Sequence, residues 1–373
     1  MITEGINKDS DIYRALQEHL DQMPIGFPKA DSGSDIRLLK HLFTPEEAEI
    51  ATFLRFGWNT DLEPIEQIYE RIKHTGIALN ELEAKLENMV RKGSILSRRK
   101  EEKKYYANAM LIIGMYEFQV NKLTMEFLKD FNEYLNEIWG TKANKTDYHQ
   151  LRTIPVEKSI DPKLNVAPYD NIQEIIEESN GPFAKINCIC RQERYMYGKP
   201  CKMTKHEDNC LGFGDMIQTY IDQGWATQIS KEETLRILQK NQEEGLILRP
   251  SNSQDVEFIC SCCYCCDKGI AELLKVPDPV NYVASNYYSE VDPDLCTGCG
   301  TCVDRCQIKA ITLVDELSSI DRMRCIGCGN CVTICPSEAM KLQKKEEQYV
   351  PPKSMDDLYD LILKEKSNIK GKG

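Results

Sequence analysis

The chain has no cysteine in its first 187 residues, and only 5 histidines and 3 tryptophans in all 373. No apolar run approaches the ~20 residues that a membrane span needs, and residues 1–17 lack the apolar core of a secretion signal. Excess positive charge is missing as well. The net charge of −12 argues against a general nucleic-acid binder, whose footprint is a basic surface. There is no phosphate-binding loop, nucleophile elbow or paired-histidine zinc motif, and Gly212-x-Gly214 is too short for a dinucleotide fingerprint. With 41% hydrophobic and 28% charged residues, broad disorder is excluded too. The expectation is a cytoplasmic protein of two to three domains.

The sequence does contain 17 cysteines, all from Cys188 onward. The count is odd and below that of a disulfide scaffold. Vicinal pairs such as Cys262–Cys263 and Cys265–Cys266 suit bridging poorly, so metal-bound thiolates in a reducing compartment fit better.

The cysteine-free half reads as helical from about 36 to 139. Thr44-Pro45-Glu46-Glu47 is a helix start, with a cap, a first-turn proline and acids at the positive end of the dipole. Leu79, Leu82, Leu86, Met89 and Val90 make one apolar stripe, which Gly93 ends. Ile95-Leu96, a basic turn from Arg98 to Lys104 and Tyr105-Tyr106 then predict a β-ribbon, and a long helix is expected from about Leu111 to Trp139. Helices followed by such a ribbon resemble a winged-helix domain, here spanning 1–140. The helix that would read DNA in that family holds Glu81, Glu83 and Glu87 against one Lys85. Phosphate contacts need Lys and Arg, so a protein-docking role is expected ahead of nucleic acid. The RRKEEKK turn is read as a solvated hairpin tip.

Residues 141–165 read as a polar linker, 166–280 as a small cysteine-rich α/β domain and 286–343 as a further module. Residues 344–373 read as an amphipathic helix, capped through Ser354 and Asp357, followed by a basic tail. Within the cysteine-rich domain, Ser230 to Leu248 predict a capped helix stopped at Gly245 and entering a strand. The overall class is α+β.

The module carries an internal duplication. Cys296-x2-Cys299-x2-Cys302-x3-Cys306 recurs 29 residues on as Cys325-x2-Cys328-x2-Cys331-x3-Cys335-Pro336. Val291-Asp292 aligns with Ile320-Asp321, and Ala310-Ile311 with Ala339-Met340. Each half predicts a strand, a cysteine loop, a helical turn and a second strand. Three cysteines at this spacing let a tight loop wrap three corners of a cubane cluster, with glycines admitting the turns.

This module resembles bacterial-type dicluster ferredoxin domains. The resemblance implies two [4Fe–4S] clusters with crossed ligands, one on Cys296, Cys299, Cys302 and Cys335, the other on Cys325, Cys328, Cys331 and Cys306. Gln307 departs from the pattern, standing where the family usually has proline.

The order of segments also resembles multidomain 4Fe–4S proteins of anaerobes. An anaerobic setting is expected because exposed clusters are damaged by oxygen.

Nine cysteines remain: Cys188, Cys190, Cys201 and Cys210, then Cys260, Cys262, Cys263, Cys265 and Cys266. Three explanations stay open, namely one or two further Fe–S clusters, a structural zinc, or a redox thiol pair. The expectation is at least one more Fe–S cluster, on Cys188, Cys190, Cys201 and Cys210 or a mixture with the later group. Arg191 would offset cluster charge. His206 reads as a solvated surface residue, with metal ligation the alternative.

The functional expectation is an electron-transfer subunit or adaptor, an electron carrier more than a stand-alone enzyme. It would relay low-potential electrons to a partner oxidoreductase or hydrogenase-like complex. Two alternatives are a redox-responsive regulator using the winged helix, and an Fe–S oxidoreductase with its own substrate site in 166–275.

Overall fold

A computed structural model describes residues 8–101, 103–138 and 148–370. The chain is 44% helical and 17% strand, a mixed α+β protein. It divides into two compact units. One takes Met1–Thr146, Gln218–Trp225 and Tyr359–Gly373; the other takes Asp147–Ile217 and Ala226–Leu358.

In the first unit, local signals set the helices. Thr44 caps the Pro45–Thr52 helix by accepting from the Glu47 N–H, while the Glu47 carboxylate accepts from the Thr44 N–H. Such a capping box contributes about 1 kcal/mol. The Leu79–Lys92 helix buries Leu82, Leu86, Met89 and Val90 and leaves Leu79 exposed. Gly93 closes it at φ +77, a left-handed conformation that favours glycine. Strands Ile95–Lys100 and Lys103–Asn108 form the expected ribbon, and the short strand Glu63–Pro64 adds to the outer edge of the second.

Two readings need correction here. The helix expected over Leu111–Trp139 is broken. Ile113 sits at φ 57 and Gly114 at φ 172, Asn121 is left-handed, and the regular helix is Met125–Ile138; Trp139 lies outside the described residues. The basic turn is also not simply solvated. Arg98 is buried, with its guanidinium 5.3 Å from the Trp58 ring centre, Lys104 pairs with Glu87 at 2.6 Å, and Arg99 pairs with Asp222 at 3.3 Å. Phe118, Tyr220 and Trp225 share ring contacts in this unit, and so do Phe56, Trp58 and Tyr359. The Met355–Lys370 helix starts with the expected cap, Asp357 accepting from Ser354 and Ser354 from the Asp357 N–H.

The second unit holds both cysteine regions. Its main sheet has five antiparallel strands in the order Ala226–Ile229, Phe183–Ile186, Cys210–Phe213, Phe258–Cys262, Ile247–Pro250. The Ile172–Glu178 and Lys231–Glu243 helices cover it, burying Ile172, Ile175, Ile176 and Leu238 against Phe213, Leu248 and Ile259. Ser230 caps the second helix, and Gly245 stops it at φ +79 before the Ile247–Pro250 strand.

Residues 141–147 of the stretch read as a linker lie outside the described residues. Residues 151–156 of that stretch are built into this unit instead. Ile154 and Val156 are fully buried, and the Arg152, Ile154 and Val156 N–H groups donate to the carbonyls of Pro250, Leu248 and Cys328. Buried Arg152 donates to the Ser251, Ser253 and Tyr169 carbonyls, which satisfies an ion that burial would otherwise penalise.

The duplicated module pairs outer strand with outer and inner with inner. Tyr287–Val291 runs against Met340–Lys344, and Ile311–Val314 against Leu317–Ile320. The two halves repeat one another in detail. The Asp292 N–H donates to Ala339 and the Asp321 N–H to Ala310, both at 2.8 Å, while Cys296 and Cys325 each close a turn onto those aspartates.

Candidate metal centres

The 17 cysteines carry no disulfide and fall into four groups. Cys296, Cys299, Cys302 and Cys335 line one cavity together with Thr301, Ser318 and Pro336. Three of them come from one loop, and Cys335 arrives from the other half of the duplication. The loop bends sharply at Gly298, φ +64, where a Cβ would collide with the Glu316 carbonyl oxygen; Gly327 occupies the same place in the second half against Tyr287. Donors point at the sulfurs. The Ser318 N–H reaches Cys296 at 3.5 Å, and the Thr301 hydroxyl lies 3.2 Å from Cys299. These hydrogen bonds hold both thiols below their ordinary range, which favours the thiolate form a metal takes.

Cys306, Cys325, Cys328 and Cys331 form the second group; Cys331 feels the charge of the other three, Cys328 that of Cys306 and Cys325, and Cys306 that of Cys325. Here burial dominates and pushes the Cys328 thiol up to about 12 and Cys331 well up. Four thiols gathered in this way, none of them exposed, suit metal-bound thiolates, since a bound cation removes that penalty. The Ser289 N–H donates to Cys325 at 3.3 Å and the Ala310 N–H to Cys306 at 3.2 Å. The first group has one exposed member, Cys299, and one buried, Cys302; the second has two buried, Cys325 and Cys331, and none exposed.

The nine remaining cysteines separate differently from their order in sequence. Cys201 does not join Cys188, Cys190 and Cys210. It meets Cys263, Cys265 and Cys266, and all four sulfurs lie within 4.8 Å of one another. Cys188 instead neighbours Cys190 and Cys210, Cys210 neighbours Cys260, and Cys260 neighbours Cys262. Strand pairing explains the division. Cys210 opens one strand, and Cys260 and Cys262 lie on the next, which places them side by side, while the chain after Cys262 turns away toward Cys201. Spacing along the chain carries no trace of this pairing.

Two buried arginines serve these thiols. Arg191 is 1% exposed and donates to Asn209, to the Ser261 carbonyl and, at 3.9 Å, to Cys263; Cys188, Cys263 and Cys210 hold it firmly protonated against the cost of burial. Arg249 pairs with Asp267 at 3.4 Å and is stabilised by that carboxylate and by Cys262 and Cys260. The Nε atoms of both guanidiniums are buried without a protein partner. Cys262 points its thiol at Asp267, 3.5 Å away. His206 belongs to none of these groups and faces Glu244 at 3.7 Å.

Sequence reasoning missed three residues that bind the module to the sheet. Gln307 accepts from the Tyr264 N–H at 2.9 Å and donates to the Gly245 carbonyl. Asn330 donates to that same carbonyl at 3.0 Å, and Arg305 donates to the Glu243 carbonyl at 2.8 Å. The departure from proline at 307 was the available signal. One apolar core joins the two regions: Cys325, Cys306 and Cys328 pack with Cys260, Cys262, Ile247 and Ile308.

Residues 289–336, which contain all eight cysteines of the duplication, match the family model of a 4Fe-4S dicluster domain. No curated protein and no solved structure matches the chain. The chain thus carries an iron–sulfur, ferredoxin-like domain in its C-terminal part and a further cluster of cysteines, a combination that points to a redox role. Among the described residues no helix is long and apolar enough to cross a membrane.

Proposed function

We propose that the chain is an electron-transfer protein that takes electrons at the exposed end of its duplicated module and passes them inward to a partner oxidoreductase. One observation carries this reading. Cys299 of the first set is exposed, while Cys325, Cys306 and Cys328 of the second set share a continuous apolar core with Cys260 and Cys262. When bound, [4Fe–4S] clusters supply reversible one-electron exchange. The first would be held by Cys296, Cys299, Cys302 and Cys335, the second by Cys306, Cys325, Cys328 and Cys331. A third would be held by Cys188, Cys190, Cys210 and Cys260, with Cys262 turned aside to Asp267. The chain's own residues exclude water around the second and third sets, aim N–H donors at sulfurs, and place Arg191 and Arg249 where negative charge accumulates.

The first unit is read as a winged-helix docking domain. Its order of helix, short strand, two helices and ribbon supports this, and so does the position of the Lys103–Asn108 strand between the other two. Glu81 and Glu83 are exposed on the helix that would enter DNA, while Lys100, Lys104 and Arg99 are already engaged by Asn59, Glu87 and Asp222. That surface suits a basic patch on a protein partner.

The test is an anaerobic redox titration of the full chain, followed by EPR and by iron and sulfide analysis. Iron that reduces and reoxidises reversibly within roughly −700 to +450 mV supports the proposal. Iron that is absent, or that cannot be reversibly reduced, overturns it. Tight, steeply salt-dependent binding of a DNA duplex would replace docking by a regulatory role.

A further inference from the structure

We infer that Cys201, Cys263, Cys265 and Cys266 hold a single tetrahedral zinc ion, separate from every iron–sulfur centre of the chain. Cys201 Sγ stands 3.6 Å from Cys263 Sγ and 3.8 Å from Cys265 Sγ. Cys265 Sγ stands 3.7 Å from Cys263 Sγ and 3.8 Å from Cys266 Sγ. Four thiolates bound to one zinc at about 2.3 Å define a tetrahedron with edges of about 3.8 Å. A cubane places each thiolate on a different iron and so spreads its four sulfurs further apart. Among the described residues no other group of three or more ligand side chains is gathered this tightly, the two ferredoxin-like sets included. A disulfide is excluded, because bonded sulfurs approach to about 2.05 Å.

Local structure explains how neighbours in sequence converge on one ion. The chain turns tightly after Cys263, with the N–H groups of Cys266 and Asp267 both donating to the Cys263 carbonyl. That turn collects Cys263, Cys265 and Cys266 around Leu246, while Tyr264 packs into the other core with Cys262 and Cys306. Cys201 and Met203 close the remaining side, and the Lys202 N–H lies 3.4 Å from Cys265 Sγ.

Four thiolates on a divalent ion leave two negative charges, and the buried Arg191 guanidinium beside Cys263 offsets one of them. With four sulfurs the coordination shell is closed, which marks a structural ion. The affinity order of divalent metals places zinc above iron(II) at such a site. The ion would fasten the loop around Cys201 to the turn that carries Tyr264, and through Gln307 to the residue beside Cys306.

The experiment uses the full chain, purified anaerobically, washed with EDTA and analysed for zinc and iron. One zinc per chain is expected, with Cys201→Ser and Cys265→Ser losing it while iron stays at the wild-type value. Should either substitution impair folding, cobalt(II) exchanged into the wild-type chain gives an independent readout, the visible bands of tetrahedral thiolate-bound cobalt, displaced by added zinc. Iron falling with either substitution while zinc is absent, or a wild-type chain that takes up neither zinc nor cobalt, overturns the inference. Reversible reduction of the iron centres is unaffected by that failure, so the electron-transfer reading is tested separately.

Discussion

The Gln307 side-chain carbonyl accepts the backbone N–H of Tyr264 at 2.9 Å, linking the residue after Cys306 to the turn between Cys263 and Cys265. The other end of the same amide donates to the Gly245 carbonyl. Proline at 307 would have neither hydrogen-bonding group, so the departure from the dicluster pattern adds two hydrogen bonds to those of Asn330 and Arg305.

Gln307→Pro is therefore expected to keep the module's iron and weaken its coupling to the sheet. Leaving the Tyr264 N–H unpaired costs about 1–3 kcal/mol. The potential of the centre that includes Cys306 should shift by roughly 30–60 mV, as a change of about 1 kcal/mol at a one-electron centre implies. An EPR-monitored titration of variant and wild type checks this; identical potentials would show that the bond is without electronic consequence.

Cys335→Ala tests the crossed ligand set. The variant should lose roughly half of the module's iron. The signal that disappears should be the one also removed by Cys299→Ala, although Cys335 lies in the other half. Loss of the signal removed by Cys328→Ala would assign Cys335 to the wrong centre.

Arg249→Met removes the cation facing Cys260 and Cys262. An uncompensated buried charge costs about 3–5 kcal/mol. Iron beyond that of the duplicated module should fall by more than half, with Arg249→Lys restoring part of it. Metal analysis reads the outcome, and an unchanged iron content would free Arg249 from this role.

Lys122 supplies a pH dependence away from the metals. Burial lowers its amine from 10.5 to about 8, and the ammonium lies 4.3 Å from the Trp225 ring centre. Between those pH values the folded chain has released a proton that the unfolded chain still holds, so stability of this unit rises with pH. Partial solvent access limits the gain to about 1 kcal/mol. Trp225 emission should titrate with a midpoint near pH 8, and Lys122→Met should abolish the titration. A flat emission profile in the wild-type chain would contradict it.

The sequence made the duplicated module legible because cluster ligation demands fixed spacings within one loop. Thr44 with Glu47, Gly93 and Gly245 were legible for the same reason: each acts on its immediate neighbours. The division of the nine central cysteines was not legible. It depends on the Cys210–Phe213 strand lying beside Phe258–Cys262, a pairing made across about fifty residues. Residues 151–156 looked like part of a linker because the stretch is polar with scattered prolines, yet the Arg152, Thr153 and Val156 N–H groups donate to the Pro250, Ala284 and Cys328 carbonyls in the interior. The break at Ile113 and Gly114 was hidden by an apolar run that suits a helix equally well. The burial of Arg98 depends on Trp58, forty residues earlier.

The Val156 N–H donates to the carbonyl of Cys328, and a Cβ on Gly329 would collide with the Ser159 side chain. These partners are separated by more than 160 residues of chain. At about 5–20 residues per second, a ribosome needs roughly ten to thirty seconds to make that much polypeptide. Throughout that interval the Val156 N–H lacks its partner, although the apolar partners of Ile154 and Val156, all at or before Ile259, are already made. Closure of this contact is consequently a late step of folding, and a chain halted before Cys328 should exchange its Val156 amide hydrogen faster than the full chain does.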